Sequence, residues 1–211
     1  MPAPAPSPSP VVAAPATPAP YVTPPASGSL PPPTRVEAAP IAWKPVIGVK
    51  AGDRPLLVWI GDASRDAAAE HRAFDDTDVR LAARAFRVVR ITPAAAAADP
   101  LLAPHAARAP VAVVFSPGLD RASDLDGPLL DPRAVLGSLD AAAAAYERLD
   151  LRASVARART ILSERAGLER DRAALAAVAP TDPTLPTRRA AIDERVAALD
   201  RELSALFSPR A

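Results

Sequence analysis

Pro55-Leu56-Leu57-Val58-Trp59-Ile60 is a short continuous apolar run, closed by Gly61-Asp62. A run this brief and this uniformly apolar suits a strand covered on both faces, which requires helices on either side of a sheet. The sequence that follows supplies them. Ser64 offers an N-cap hydroxyl before Arg65-Asp66-Ala67-Ala68-Ala69-Glu70, with Asp66 in the first turn, where the helix dipole favours negative charge. Ala67, His71 and Phe74 share one face of that helix, so His71 is expected to pack inward. Asp75-Asp76-Thr77-Asp78 is a second start signal, after which Val79, Ala82, Ala83 and Phe86 recur at helical spacing. Phe86 to Thr92 reads as the next strand, stopped by Pro93. A poorly patterned connection follows, and Ala109-Pro110 leads into the strand Val111 to Phe115, ended by the turn Ser116-Pro117-Gly118-Leu119-Asp120. Upstream, Ile41 to Lys50 reads as an added edge strand in which Pro45 is tolerated, with Ala51-Gly52-Asp53 as its turn.

This order of elements resembles a thioredoxin-like domain. In that family a strand of the central sheet is entered through a cis proline bordering the active-site groove, and Pro110 is similar to it. Phe74-Asp75-Asp76-Thr77-Asp78-Val79 likewise resembles the F-x-D-P-x-V stretch of one subgroup, with Thr77 where that pattern has proline. Asp131-Pro132 puts proline at the first position of a closing helix. The resemblance covers roughly residues 46 to 147 and implies a mixed α/β sheet with flanking helices. It also implies a binding groove formed by Asp62, Ser64, Arg65, Ala109 and Pro110. Redox members place Cys-x-x-Cys after the first central strand, where the helix N-terminus lowers the pKa of the first thiol. By position that is Ser64-Arg65-Asp66-Ala67, and the chain has no cysteine at all. It can therefore neither form nor pass on a disulfide, and a lone serine needs an adjacent base before it becomes nucleophilic.

Fifteen of the 27 prolines lie in the first 45 residues. Residues 1–40 are Pro/Ala/Ser with few large apolar side chains, too little to offset chain entropy, and read as a disordered, partly polyproline-II tail. Residues 41–147 form the expected thioredoxin-like domain. Residues 148–211 are expected as a helical hairpin. Val135, Leu136 and Leu139 could pack on the sheet, and a long Ala/Arg/Glu/Leu segment ends near Ala179. Pro180 to Pro186 breaks it. The second arm carries Ile192, Val196, Leu199, Leu203 and Leu206, whose alternation of four and three is the seam of a coiled coil. The first arm is less regular, with Leu151, Val155, Ala158 and Leu162 in one frame and Ile161, Leu168, Leu175 and Val178 in a shifted one. It should therefore bury only part of the stripe and leave the rest as an association surface. A helix packed on its neighbour within the monomer is the plain alternative.

Composition excludes other classes. Arginine is abundant and lysine scarce, as a GC-rich coding sequence would give, but net charge is +1 and the arginines alternate with Asp and Glu. With few aromatics, no nucleic-acid surface is expected. No stretch reaches the ~18 apolar residues of a membrane span. The chain is expected to be soluble and cytoplasmic by default, or periplasmic or envelope-tethered if a signal or anchor precedes the tail. Asp62 and Ser64 look superficially like the metal-binding start of a von Willebrand A domain but read more simply as helix caps. His71 and His105 are too few for a typical zinc site, and no Gly-x-Ser-x-Gly elbow accompanies Ser64. No metal, cofactor or catalytic residue is expected. The chain reads as a redox-inactive interaction or scaffold module, binding a protein partner or itself through the hairpin. The alternative is an accessory or enzyme using the groove near Pro110 without thiols of its own.

Overall fold

The computed structural model describes residues 37–45, 49–147, 149–176 and 182–207. The tail expected over 1–40 lies outside them as far as residue 36. From there the chain is already engaged, since Ala38 is buried and its carbonyl accepts a hydrogen bond from Arg80 at 3.1 Å.

A five-stranded mixed sheet runs in the order β1 (Lys44–Pro45), β3 (Arg87–Ile91), β2 (Leu56–Ile60), β4 (Val111–Phe115), β5 (Ala122–Asp126). The first three are parallel, β4 is antiparallel to β2, and β5 is antiparallel to β4. Alternation along β2 divides the core. Leu57 and Trp59 face one side, together with Ala112, Val114 and Leu125, while Leu56, Val58 and Ile60 face the other with Val89, Ile91, Val111, Val113 and Phe115. Every residue of β2 and of β4 is buried. The continuous apolar runs are thus central strands covered on both faces.

The Trp59 face is covered by α1 (Ala67–Phe74), α2 (Thr77–Ala82) and α5 (Pro132–Glu147). The Asp76 carboxylate caps α2 by accepting from the amides of Asp78 and Val79, and Asp131 does the same for α5 with Arg133 and Ala134. Trp59 is fully buried and meets Phe74 edge-to-face at a centroid distance of 5.6 Å. Its Nε1–H has no acceptor among the described residues, a debit of about 1–3 kcal/mol that burial of the ring outweighs. A Cβ on Gly61 would stand 2.9 Å from the indole, so this position has no room for a side chain.

The opposite face is covered by two short helices, α3 (Pro93–Ala97) and α4 (Ala103–Ala106), within the connection that sequence patterning left open. Thr92 caps α3 through Ala95 and Pro93 fills its first turn, a start signal legible in the sequence. β5 is the other unforeseen element. Its sequence, Ala-Ser-Asp-Leu-Asp, buries only Leu125. The turn between β4 and β5 holds Leu119 at φ 64°, and that side chain packs against the second cluster.

Two long helices complete the chain, α6 (Leu151–Ala176) and α7 (Leu185–Leu206). Pro186, expected in the break, instead lies in the first turn of α7, where a missing N–H removes no hydrogen bond. The helices run antiparallel, joined across their length by the ion pairs Arg157–Glu202, Arg195–Glu164 and Arg165–Asp200. They do not stand apart from the sheet. Leu151, Val155, Ala158 and Ile161 of α6, and Leu199, Leu203 and Phe207 beyond and within α7, belong to the same hydrophobic cluster as Trp59, Val79 and Val135. Arg159 pairs with Asp78 of α2 at 2.5 Å, and Arg152 with Asp140 of α5 at 2.7 Å.

Candidate functional site

The sequence placed Ser64 at the N-cap of α1. The structure places Asp66 there instead, and one turn of chain from Ala63 to Arg65 precedes the helix. Asp62 explains the delay. Its Oδ1 accepts from the Ser64 amide at 2.9 Å, the Ser64 hydroxyl at 2.6 Å and the Arg65 amide at 3.0 Å, closing a side-chain turn that competes with helix. The Asp62 amide in turn donates to Asp66 Oδ2 at 2.7 Å. These hydrogen bonds, led by the one from the Ser64 hydroxyl, bring the Asp62 carboxyl down to about 2. The Ser64 hydroxyl is thus committed to a carboxylate. Its partner is the Asp62 carboxylate and not a histidine.

His71 corrects a second expectation. It is exposed, with its side chain 70% accessible, and Nδ1 meets Asp75 Oδ2 at 2.8 Å. The residue that turns inward is Glu70, one helical turn before Phe74, and it pairs with Arg90 of β3. A half-buried cation on the sheet makes a carboxylate acceptable on the inner face of α1, and no pattern of apolar residues announces that.

Pro110 enters β4 through a cis peptide bond with Ala109. It lines an open cleft of about 520 Å³ with Ala69 and Arg72 of α1, Arg108, and Asp126, Gly127 and Leu130 at the end of β5. Asp62, Ser64 and Arg65 are not part of that lining, and Ala109 packs instead against the second core cluster. Of the five groove residues expected, only Pro110 is brought to the cleft, and α1 contributes through residues about one and two turns further on.

The cleft's charges are unequal. Arg108 Nε donates to Asp126 at 2.6 Å and its NH1 to Asp124 at 2.6 Å, and the bond to Asp126 raises the Arg108 pKa further. His105 Nδ1 stands 2.7 Å from the other Asp124 oxygen, off the line of a hydrogen bond. These pairs make two aspartates tolerable on the edge strand β5. Arg72, by contrast, has no ion-pair partner among the described residues, and it is exposed. Leu129, next to Leu130 in the chain, is the one large hydrophobic side chain with high exposure among the described residues, at 47%. The cleft can therefore offer an apolar wall, one cation unpaired among the described residues and an acidic edge bridged by Arg108.

The predicted association stripe divides. Leu199 and Leu203 are buried in the common core, whereas Ile192, Val196 and Leu206 are half-buried. Among the described residues no group of three or more His, Cys, Asp or Glu side chains is placed to hold a metal ion, and no helix is long and apolar enough to cross a membrane. Comparison of the chain with family models, with curated proteins and with solved structures gives no match.

Proposed function

We propose that this chain is a thioredoxin-like module without redox activity that works by binding another polypeptide, with the cleft beside Pro110 as its contact surface. The thioredoxin-like reading is supported by the strand order, by three parallel strands followed by two antiparallel ones, and by a helix that begins just past β2. The binding reading is carried by one observation. The cleft joins Arg72, unpaired among the described residues, to an apolar wall, and Leu129, just before the lining residue Leu130, is exposed. A segment with an apolar residue next to a carboxylate suits that surface. The hairpin contributes a second, smaller association surface through Ile192 and Val196, because Leu199 and Leu203 are consumed by the chain's own core and Leu206 packs against it.

The test is co-purification of the full-length protein with mass spectrometry, run in parallel on three forms. Wild type and Ile192→Asp should carry the same stoichiometric partner, and Arg72→Asp with Leu129→Asp should lose it. Retention by the double variant would remove the cleft from the proposal. An insulin-reduction assay should stay at the buffer blank, since no thiol exists to cycle, and turnover above it would overturn the redox-inactive reading.

A further inference from the structure

At the opposite edge of the sheet, a second cleft of about 380 Å³ lies between the segment that enters β1 and the end of α2. Its floor and walls are apolar, with Ile41, Ala83, Phe86 and Val88 among the lining residues, and its polar groups are all cationic: Lys44, Arg80 and Arg84. Arg80 is spoken for, since it bonds Asp75 at 2.6 Å and the carbonyls of Ala38 and Phe74. In doing so it fastens the entering segment and shapes one wall of the cleft. Lys44 and Arg84 are different. Both are exposed, neither has a salt-bridge or hydrogen-bond partner among the described residues, and no carboxylate lines the cleft with them.

An apolar floor under two unpaired cations is complementary to a small molecule with an apolar tail and a single anionic head. The volume falls in the range of small-molecule sites, at its lower end. We propose that this cleft binds a medium-chain carboxylate, its tail on Phe86 and Val88 and its head between Lys44 and Arg84. The site is independent of the cleft at Pro110 and does not rest on the polypeptide-binding reading. Trp43, between two lining residues, meets Phe74 edge-on at 5.1 Å and gives a nearby fluorescent reporter.

The test titrates the full-length protein with decanoate, below its micelle concentration, by calorimetry and by tryptophan emission. Decanol and decyltrimethylammonium serve as neutral and cationic counterparts. Decanoate should bind at least tenfold more tightly than decanol, with the cation not binding. Lys44→Ala with Arg84→Ala should weaken decanoate at least tenfold while leaving decanol unchanged, and Lys44→Arg with Arg84→Lys should restore it. Both substituted positions are exposed, and the far-ultraviolet spectrum checks that the variants stay folded. Ala42→Trp, at an exposed lining position, should block decanoate and decanol alike. Equal affinity for acid and alcohol, no binding of decanoate, or binding untouched by the double alanine variant would overturn the proposal.

Discussion

The two halves of the helical hairpin are built from one repeating pattern and held in two different ways. Near the sheet, Leu151, Val155, Ala158 and Ile161 of α6 meet Leu199 and Leu203 of α7 inside the main core. Farther out, Leu175 and Leu185 are buried outside the main cluster, Ile192 and Val196 are only half-buried, and the helices are joined by Arg195–Glu164 at 2.6 Å and Arg172–Asp193 at 3.3 Å. Burial of a leucine contributes roughly 1.5–3 kcal/mol, whereas an exposed ion pair contributes about 0–1 kcal/mol. The same heptad-like stripe is therefore strong at Leu199 and Leu203, where it shares a core with the sheet, and weaker at Ile192 and Val196, which stay half-buried. A periodic apolar stripe identifies the buried side of a helix, but its energetic worth depends on what lies opposite.

The largest expected effect tests the strong half. Leu199→Asp puts a carboxylate where the native side chain has no exposure at all, at a cost on the order of 4 kcal/mol or more. Sheet and hairpin should then lose structure together, in one transition with a lowered midpoint. Loss of helix with an unchanged sheet transition would show that the hairpin is an independent unit. Gly61→Ala probes the sheet side of the same core. Its methyl would meet the Trp59 indole at 2.9 Å, and overpacking of this kind costs about 1–3 kcal/mol, read as a fall in the denaturant midpoint. An increase would mean that the indole moves freely.

The weak half should answer differently. Ile192→Asp is expected to cost no more than about 1 kcal/mol, because the new carboxylate can still reach water. A loss as large as that of Leu199→Asp would erase the distinction between the halves. Arg172→Ala should change stability by less than about 1 kcal/mol, and the difference should vanish in high salt. Hydrogen exchange sharpens the same point, with amides near Ile192 and Val196 exchanging faster than those near Ile161 and Leu199.

The turn after β2 is, like the outer hairpin, held by polar contacts at the surface. With the Asp62 carboxyl lowered from 3.8 to about 2, its charged form is favoured in the folded chain. Its contribution to stability is complete above pH 3.8 and is lost as pH falls from there toward about 2. Carbon-detected NMR titration of Asp62 should give a midpoint near the lower value. Ser64→Ala removes the hydroxyl hydrogen bond that contributes most to the shift and should move that midpoint upward, and an unmoved midpoint would show that the Ser64 hydroxyl is not its source.

Much of the architecture was already present in the residues. An unbroken apolar run such as Leu56 to Ile60 has no polar face to offer water, so it dictates a central strand between two layers. Asp76 ahead of α2, and Asp131-Pro132 ahead of α5, set those helix starts by local hydrogen bonding alone. That the given sequence has no cysteine was legible without any structure. What tertiary structure alone decided are the places where polar groups meet across distance. Glu70 turns inward because Arg90 lies on a strand 20 residues later, and β5 can carry two aspartates because Arg108 bridges them. Leu199 is a core residue because α6 packs on α2 and α5. Local sequence sets which groups need burial or a partner, and the meeting of distant segments decides which of them find one.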